Sequence, residues 1–166
     1  SQIAVLGTLQ IVAMETEDLG ALRSTQVMSL TTGQIAVLTT DQFSNLSTAQ
    51  LVSLTTSQMR ALTASQVESL ATQQVTVLSS AQLGELSTSA VRALSSSQIN
   101  ALQPGRIASF TSSQIRSLTS QQIIALSTAQ IPELTTAQIA SLTTAQIVSM
   151  ETGDVRLLTG TQVAVL

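Results

Sequence analysis

The sequence predicts an all-α solenoid: a superhelix of very short helices, each of one to two turns, with one helix per eight-residue repeat. Three observations predict it. The first is an octad period without insertion or deletion, and the second is a pair of apolar positions three residues apart inside every octad. The third is a helix-start signal, Ser/Thr-x-x-Gln, in almost every unit. A strict fixed period means that each unit has the same conformation and the same neighbours, so the chain forms an array with no single globular core.

The octad is numbered from its Ser/Thr, so that in Thr135-Thr136-Ala137-Gln138-Ile139-Ala140-Ser141-Leu142 the first position is Thr135 and the eighth Leu142. Eighth positions carry leucine or a substitute from Leu6, Met14 and Leu22 through Phe110 and Met150 to Leu166. Fifth positions run in parallel as Ile3, Ile11, Leu19, Val27, Ile35 and Phe43 to Val155 and Val163. Glutamine fills 17 of 21 fourth positions, the exceptions being Asp18, Ala90, Arg106 and Asp154. The whole of 1–166 therefore reads as a single array of about 21 octads.

Each position has a physical reason. Apolar residues three apart share one face of a helix but fall on opposite faces of a strand, so the fifth and eighth positions favour helix. One continuous helix fails, because at ~100° per residue an octad overshoots two turns by ~80° and the apolar stripe would circle the helix. The chain must break between octads. At the first position, Ser or Thr followed by Gln at the fourth is a capping box: the hydroxyl accepts from the fourth N–H while the Gln amide reaches back to the cap N–H. Thr31 with Gln34, Thr39 with Gln42, Thr55 with Gln58, Ser79 with Gln82, Thr111 with Gln114, Ser127 with Gln130 and Thr143 with Gln146 carry it. From that cap, the preceding Leu and the fifth-position Ile are the two halves of a hydrophobic staple.

Pro104 falls at the first helical position, where its missing N–H costs nothing. Pro132, at the sixth position, removes an internal hydrogen bond and is read as a tolerated defect. Third and seventh positions are mostly small and are expected to allow close approach of neighbouring octads. The sixth position varies (Arg60, Glu68, Thr76, Arg92, Asn100, Arg116, Arg156) and is expected to face solvent. A lone one-turn helix meets the nucleation penalty without reaching propagation, so octad-on-octad stacking must supply the stability. Columns of Ile and Leu inside, with Gln side chains laddering between turns, are the expected source.

Composition narrows the function. The sequence has no Cys, His, Lys, Trp or Tyr, so thiol nucleophiles, imidazole bases and lysine Schiff bases are unavailable. No residue is assigned as catalytic, cofactor-binding or metal-ligating, and the chain is read as not an enzyme. A net charge of −3, with six arginines as the cations, gives no basic stripe for a phosphate backbone, so no nucleic-acid partner is expected. No apolar run approaches the ~20 residues needed to span a bilayer. Glu15, Glu17 and Asp18, and Glu151 with Asp154, are read as acids complementing helix starts. The sixth-position arginines are read as solvated charge, and Asn45-Leu46-Ser47 as a chance sequon. Neither end carries an atypical polar repeat, and the segment is expected to continue into more of the same array or to abut copies of itself.

The units LTTAQIASL and LSTAQIPEL resemble the LTxxQIxxL octapeptide arrays of very large bacterial secreted or surface proteins of adhesin-like type. The resemblance covers the whole chain. It implies an extracellular or cell-surface stalk, adhesin shaft or self-associating filament, and it transfers no binding residue. Leu134-Thr135-Thr136-Ala137-Gln138-Ile139 also looks like the first helix of a transcription-activator-like effector repeat, but the likeness stops after eight residues, before any base-reading loop. The alternative function is a binding module that presents a regular Thr/Ser face to a glycan or to ice. Thr31-Thr32, Thr39-Thr40, Thr55-Thr56, Thr135-Thr136 and Thr143-Thr144 carry that reading.

Overall fold

The computed structural model describes residues 2–166; Ser1 and the side chain of Gln2 lie outside the described residues, and with them the readings of the mid-octad start and of the first fourth position. Among the described residues every octad contributes one helical element and none contributes a strand: nineteen α-helices of four to six residues and two 3-10 segments. The chain is an all-α solenoid of very short helices.

Local chemistry sets both helix ends. The first position is extended, with Thr31 at φ −71°, ψ 159°, and the helix Thr32–Val37 begins at the second position. The eighth position is extended as well, with Leu38 at φ −55°, ψ 132°. Two consecutive extended residues thus turn the chain between helices. No described residue has positive φ, so the turn needs no glycine, which is why glycine has no fixed place in the octad. Pro104 opens its helix Pro104–Ile107 at the first helical position. Pro132 does deform its octad: a 3-10 segment, Ile131–Glu133, stands where the octads on either side have α-helix, because proline cannot donate the N–H that an α turn needs.

Helices pack on those three octads away, as Thr32–Val37 does on Thr56–Arg60 and Thr88–Ala93 on both Ala64–Glu68 and Ser112–Ser117. Fourth-position side chains reach four octads back. One superhelical turn therefore holds between three and four octads. Fifth and eighth positions fill a continuous apolar core, from Ile35, Phe43 and Leu51 to Ile131 and Ile139. In the interior octads, as at Leu30 with Ile35 and Leu134 with Ile139, both halves of the staple lie in that core.

Third and seventh positions differ from expectation. Third positions such as Ala49, Ala81, Ala129 and Ala137 are exposed, and only the seventh faces a neighbour. There, Ser53, Ser69, Ser117 and Ser141 donate to the backbone carbonyls of Ser24, Thr40, Thr88 and Ser112, three octads earlier. The sixth position faces solvent at Arg60, Glu68, Arg92, Asn100, Arg116 and Arg156. Gly84, also sixth, is the close approach, since a Cβ there would lie 3.0 Å from the Ser109 carbonyl oxygen.

Candidate functional site

The chemistry that repeats is the fourth-position glutamine, which the capping box half accounts for. In octad 63–70, Thr63 Oγ1 accepts from the Gln66 N–H at 3.2 Å, and Gln66 Oε1 accepts from the Thr63 N–H at 2.9 Å. The other end of the amide leaves the octad. Gln66 Nε2 donates to the carbonyl oxygens of Ile35 and Leu38, both at 2.8 Å, in the octad four units earlier. These carbonyls close a helix C-terminus, where acceptors lack an i+4 donor; the Ile35 carbonyl also accepts from the Leu38 N–H at 3.3 Å. One amide thus caps the start of its own helix and the end of the helix one turn below, using both of its N–H donors.

The same geometry recurs at Gln34, Gln58, Gln82, Gln114, Gln138 and Gln146. Their side chains are buried, and no buried side-chain polar atom among the described residues lacks a hydrogen-bond partner. The expected glutamine ladder is absent in its literal form: the amides bond main chain and not one another. Where the cap is Arg23 or Ala71, the glutamine still accepts from the cap N–H, at 3.0 and 2.7 Å. In the Pro132 octad the helix is distorted, yet Gln130 Nε2 still reaches Ile99 and Leu102 at 2.8 and 2.9 Å. The bond between turns outlasts the loss of local helix.

Among the four exceptions, Arg106 supplies a substitute donor by bonding the Leu78 carbonyl through its guanidinium. Ala90 is buried and supplies none. Asp18 is exposed. Asp154 is 8 % exposed and only accepts, from the Glu151 N–H at 3.4 Å.

The other candidates stand apart. Glu17 and Asp18 lie in the first turn of Thr16–Gly20, as the dipole reading requires. Arg60 pairs with Glu85 across three octads, at 69 and 34 % side-chain exposure. Asn45 is exposed and donates its amide to the Asp41 carbonyl at 2.8 Å. First-position hydroxyls are occupied by capping, whereas second-position Thr32, Thr40, Thr56, Thr136 and Thr144 are exposed. No group of three or more acidic, histidine or cysteine side chains comes together among the described residues. No helix among them is long and apolar enough to cross a membrane.

A solenoid in which a column of buried amides ties most turns to the last is a repeat-built structural protein. The ALTTAQ repeat model matches residues 11–48, 67–104, 75–112, 107–136 and 125–152, well over half of the chain, and the chain belongs to that repeat family. No curated protein and no solved structure matches it.

Proposed function

We propose that this array is a length-bearing segment of a bacterial extracellular or cell-surface protein, serving as a stalk, adhesin shaft or self-associating filament, and that it is not an enzyme. The observation that supports this reading is the glutamine column. Most interior octads contribute a buried amide bonded to the carbonyls of the turn below, as Gln66 and Gln82 do, so the array lengthens octad by octad without a closed core. The resemblance to octapeptide arrays of large bacterial surface proteins supports the location, and the absence of cysteine and lysine suits exposure to oxidants and proteases.

Immunogold labelling of intact, unpermeabilised source cells with an antibody to this segment tests the location: gold at the cell surface is expected, and label appearing only after permeabilisation overturns it. Small-angle scattering of the purified segment tests the shaft. With turns stacked about 9 Å apart the radius of gyration is about 19 Å, against about 15 Å for a compact chain of this length. The compact value would remove the shaft reading.

A second reading has its own support: the second-position threonines are exposed and free of capping duty. Thr32 and Thr56 begin helices that pack on each other, so their hydroxyls lie on neighbouring turns. Such a face suits a glycan or ice. Replacing Thr32, Thr40, Thr56, Thr136 and Thr144 together by Val or Lys is expected to abolish binding on a glycan array or ice-growth inhibition, and unchanged activity excludes it.

A further inference from the structure

Asp154 is the fourth-position residue that reverses the chemistry of its slot. Its neighbours in the column keep the pattern: Gln146 Nε2 lies 2.9 and 2.8 Å from the Ile115 and Leu118 carbonyl oxygens, and Gln162 Nε2 3.1 and 2.5 Å from those of Pro132 and Leu134. In several octads a third carbonyl joins, as when Gln122 Nε2 meets Val91, Arg92 and Leu94 at 3.1, 3.2 and 2.6 Å. In those octads three main-chain oxygens converge on the amide nitrogen, where Gln66 and Gln138 have two. Counted back by the same 31, 30 and 28 residues, the carbonyls that correspond to Asp154 are those of Ile123, Ile124 and Leu126.

Asp154 keeps the near half of the glutamine's work, since its Oδ2 accepts the Glu151 N–H at 3.4 Å. It has nothing to donate. No side chain among the described residues donates to the carbonyls of Ile123, Ile124 or Leu126, and the carboxylate is nine-tenths buried. A buried anion facing the negative end of a helix carries a large electrostatic cost unless a cation offsets it. Ala90 leaves its carbonyls unserved without adding charge, and Arg106 brings its own positive charge, so the conflict is peculiar to Asp154. The sequence shows a linked change too: Asp replaces Gln only at 18 and 154, and each time Glu replaces the Ser/Thr cap three residues earlier, as Glu15 and Glu151.

We propose that Asp154, with the main-chain carbonyls of Ile123, Ile124 and Leu126, forms an oxygen-only site for a hard divalent cation, with Ca²⁺ as the fitting ion. The cation stands where the other octads place an amide nitrogen. Aspartate is one methylene shorter than glutamine, which leaves room for an ion between carboxylate and carbonyls, and water completes the six to eight oxygens that Ca²⁺ takes. Mg²⁺ fits worse because it demands a tight octahedron and dehydrates reluctantly. A single carboxylate places the affinity in the weak class, on the order of 10⁻⁴–10⁻³ M. The Asp18 octad lacks the carbonyl crown within this sequence, so one site per chain is expected.

The test titrates chelator-treated full chain with CaCl₂ and MgCl₂ at matched ionic strength, reading calorimetric stoichiometry and thermal unfolding. One Ca²⁺ per chain is expected, with a rise in Tm of about 4–8 °C at 10 mM Ca²⁺ and little response to Mg²⁺. Asp154→Gln restores the amide and is expected to unfold in Ca²⁺-free buffer no lower than the unmodified chain does with Ca²⁺, while losing the Ca²⁺ response. Asp154→Asn, which removes only charge, is expected to lose the response as well, and Asp18→Gln to keep it. Absence of a Ca²⁺ response in the unmodified chain, or a response that survives Asp154→Gln or Asp154→Asn, overturns the proposal.

Discussion

Interior and terminal octads carry the same pattern of residues but not the same burial. Ile35 is fully buried, whereas Val155 and Val163, in equivalent fifth positions near the C-terminal end, are 39 and 50 % exposed. At the N-terminal end the asymmetry reverses: Ile3, Ile11, Leu19 and Val27 are buried, and it is the eighth-position Leu6, Met14 and Leu22 that are only partly covered. Fifth positions are thus sealed by the turn that follows, and eighth positions by the turn that precedes. The glutamines agree, since Gln34 and most later ones are buried while Gln10 is exposed and Gln26 half-buried, having no octad four units behind them in this sequence. Burial belongs to the pair of turns and not to the octad.

The sharpest way to break that equivalence is to shift the register. One alanine inserted between Ser65 and Gln66 moves Gln66, Gln74 and Gln82 off their carbonyls, all of which precede the insertion, whereas deletion of the whole octad 63–70 brings the glutamines that span it onto equivalent carbonyls. The insertion is expected to lower Tm by more than about 10 °C or to split the calorimetric transition, and the octad deletion to lower it by about 5 °C or less. Equal effects from the two changes would show that register between turns does not govern stability.

The next effect compares the apolar column in its two settings. Ile35→Ala removes a side chain that is wholly enclosed, at a cost of about 3–4 kcal/mol. Val163→Ala, half exposed, is expected to cost under about 1 kcal/mol. Urea denaturation of the two variants reads the difference directly, and matching losses would contradict the turn-on-turn account of burial.

A slightly smaller contrast isolates the amide. Gln66→Leu keeps bulk and apolar contact but leaves the Ile35 and Leu38 carbonyls and the Thr63 N–H without their side-chain partner, which is expected to cost about 3 kcal/mol. Gln26→Leu loses only the exposed bonds from the Arg23 N–H and Nε–H and is expected to cost under about 1 kcal/mol. Chemical denaturation midpoints check both, and a Gln66→Leu protein as stable as the unmodified chain would assign the glutamine to capping alone.

How much of this was legible beforehand follows from which interactions are local. The capping boxes of Thr31 with Gln34 and Thr143 with Gln146 were readable because both partners sit within one octad. The break after the leucine column was readable because no helix could bury the pattern otherwise. The far half of the amide's work was not, because its partners lie 28 and 31 residues away. That separation depends on how sharply the two extended residues bend the chain. A period of eight fixes the unit but not the number of units in a turn. The same gap explains the third position: small residues look alike at Ala49 and Ala61, and only the stacking of turns makes the first exposed and the second half-buried.

The smallest expected effect sets the baseline for the others. Arg60 and Glu85 also join octads three units apart, but through charged side chains largely in water. Exposed pairs of this kind contribute about 0.2–1 kcal/mol and are screened by salt. Arg60→Ala and Glu85→Ala are each expected to shift stability by less than about 0.5 kcal/mol, with the difference vanishing in 1 M NaCl, while the Gln66→Leu loss persists there. Were the two losses to fall together as salt rises, the turns would be held by surface charge, and the buried amide column would have to be given up as the element that joins them.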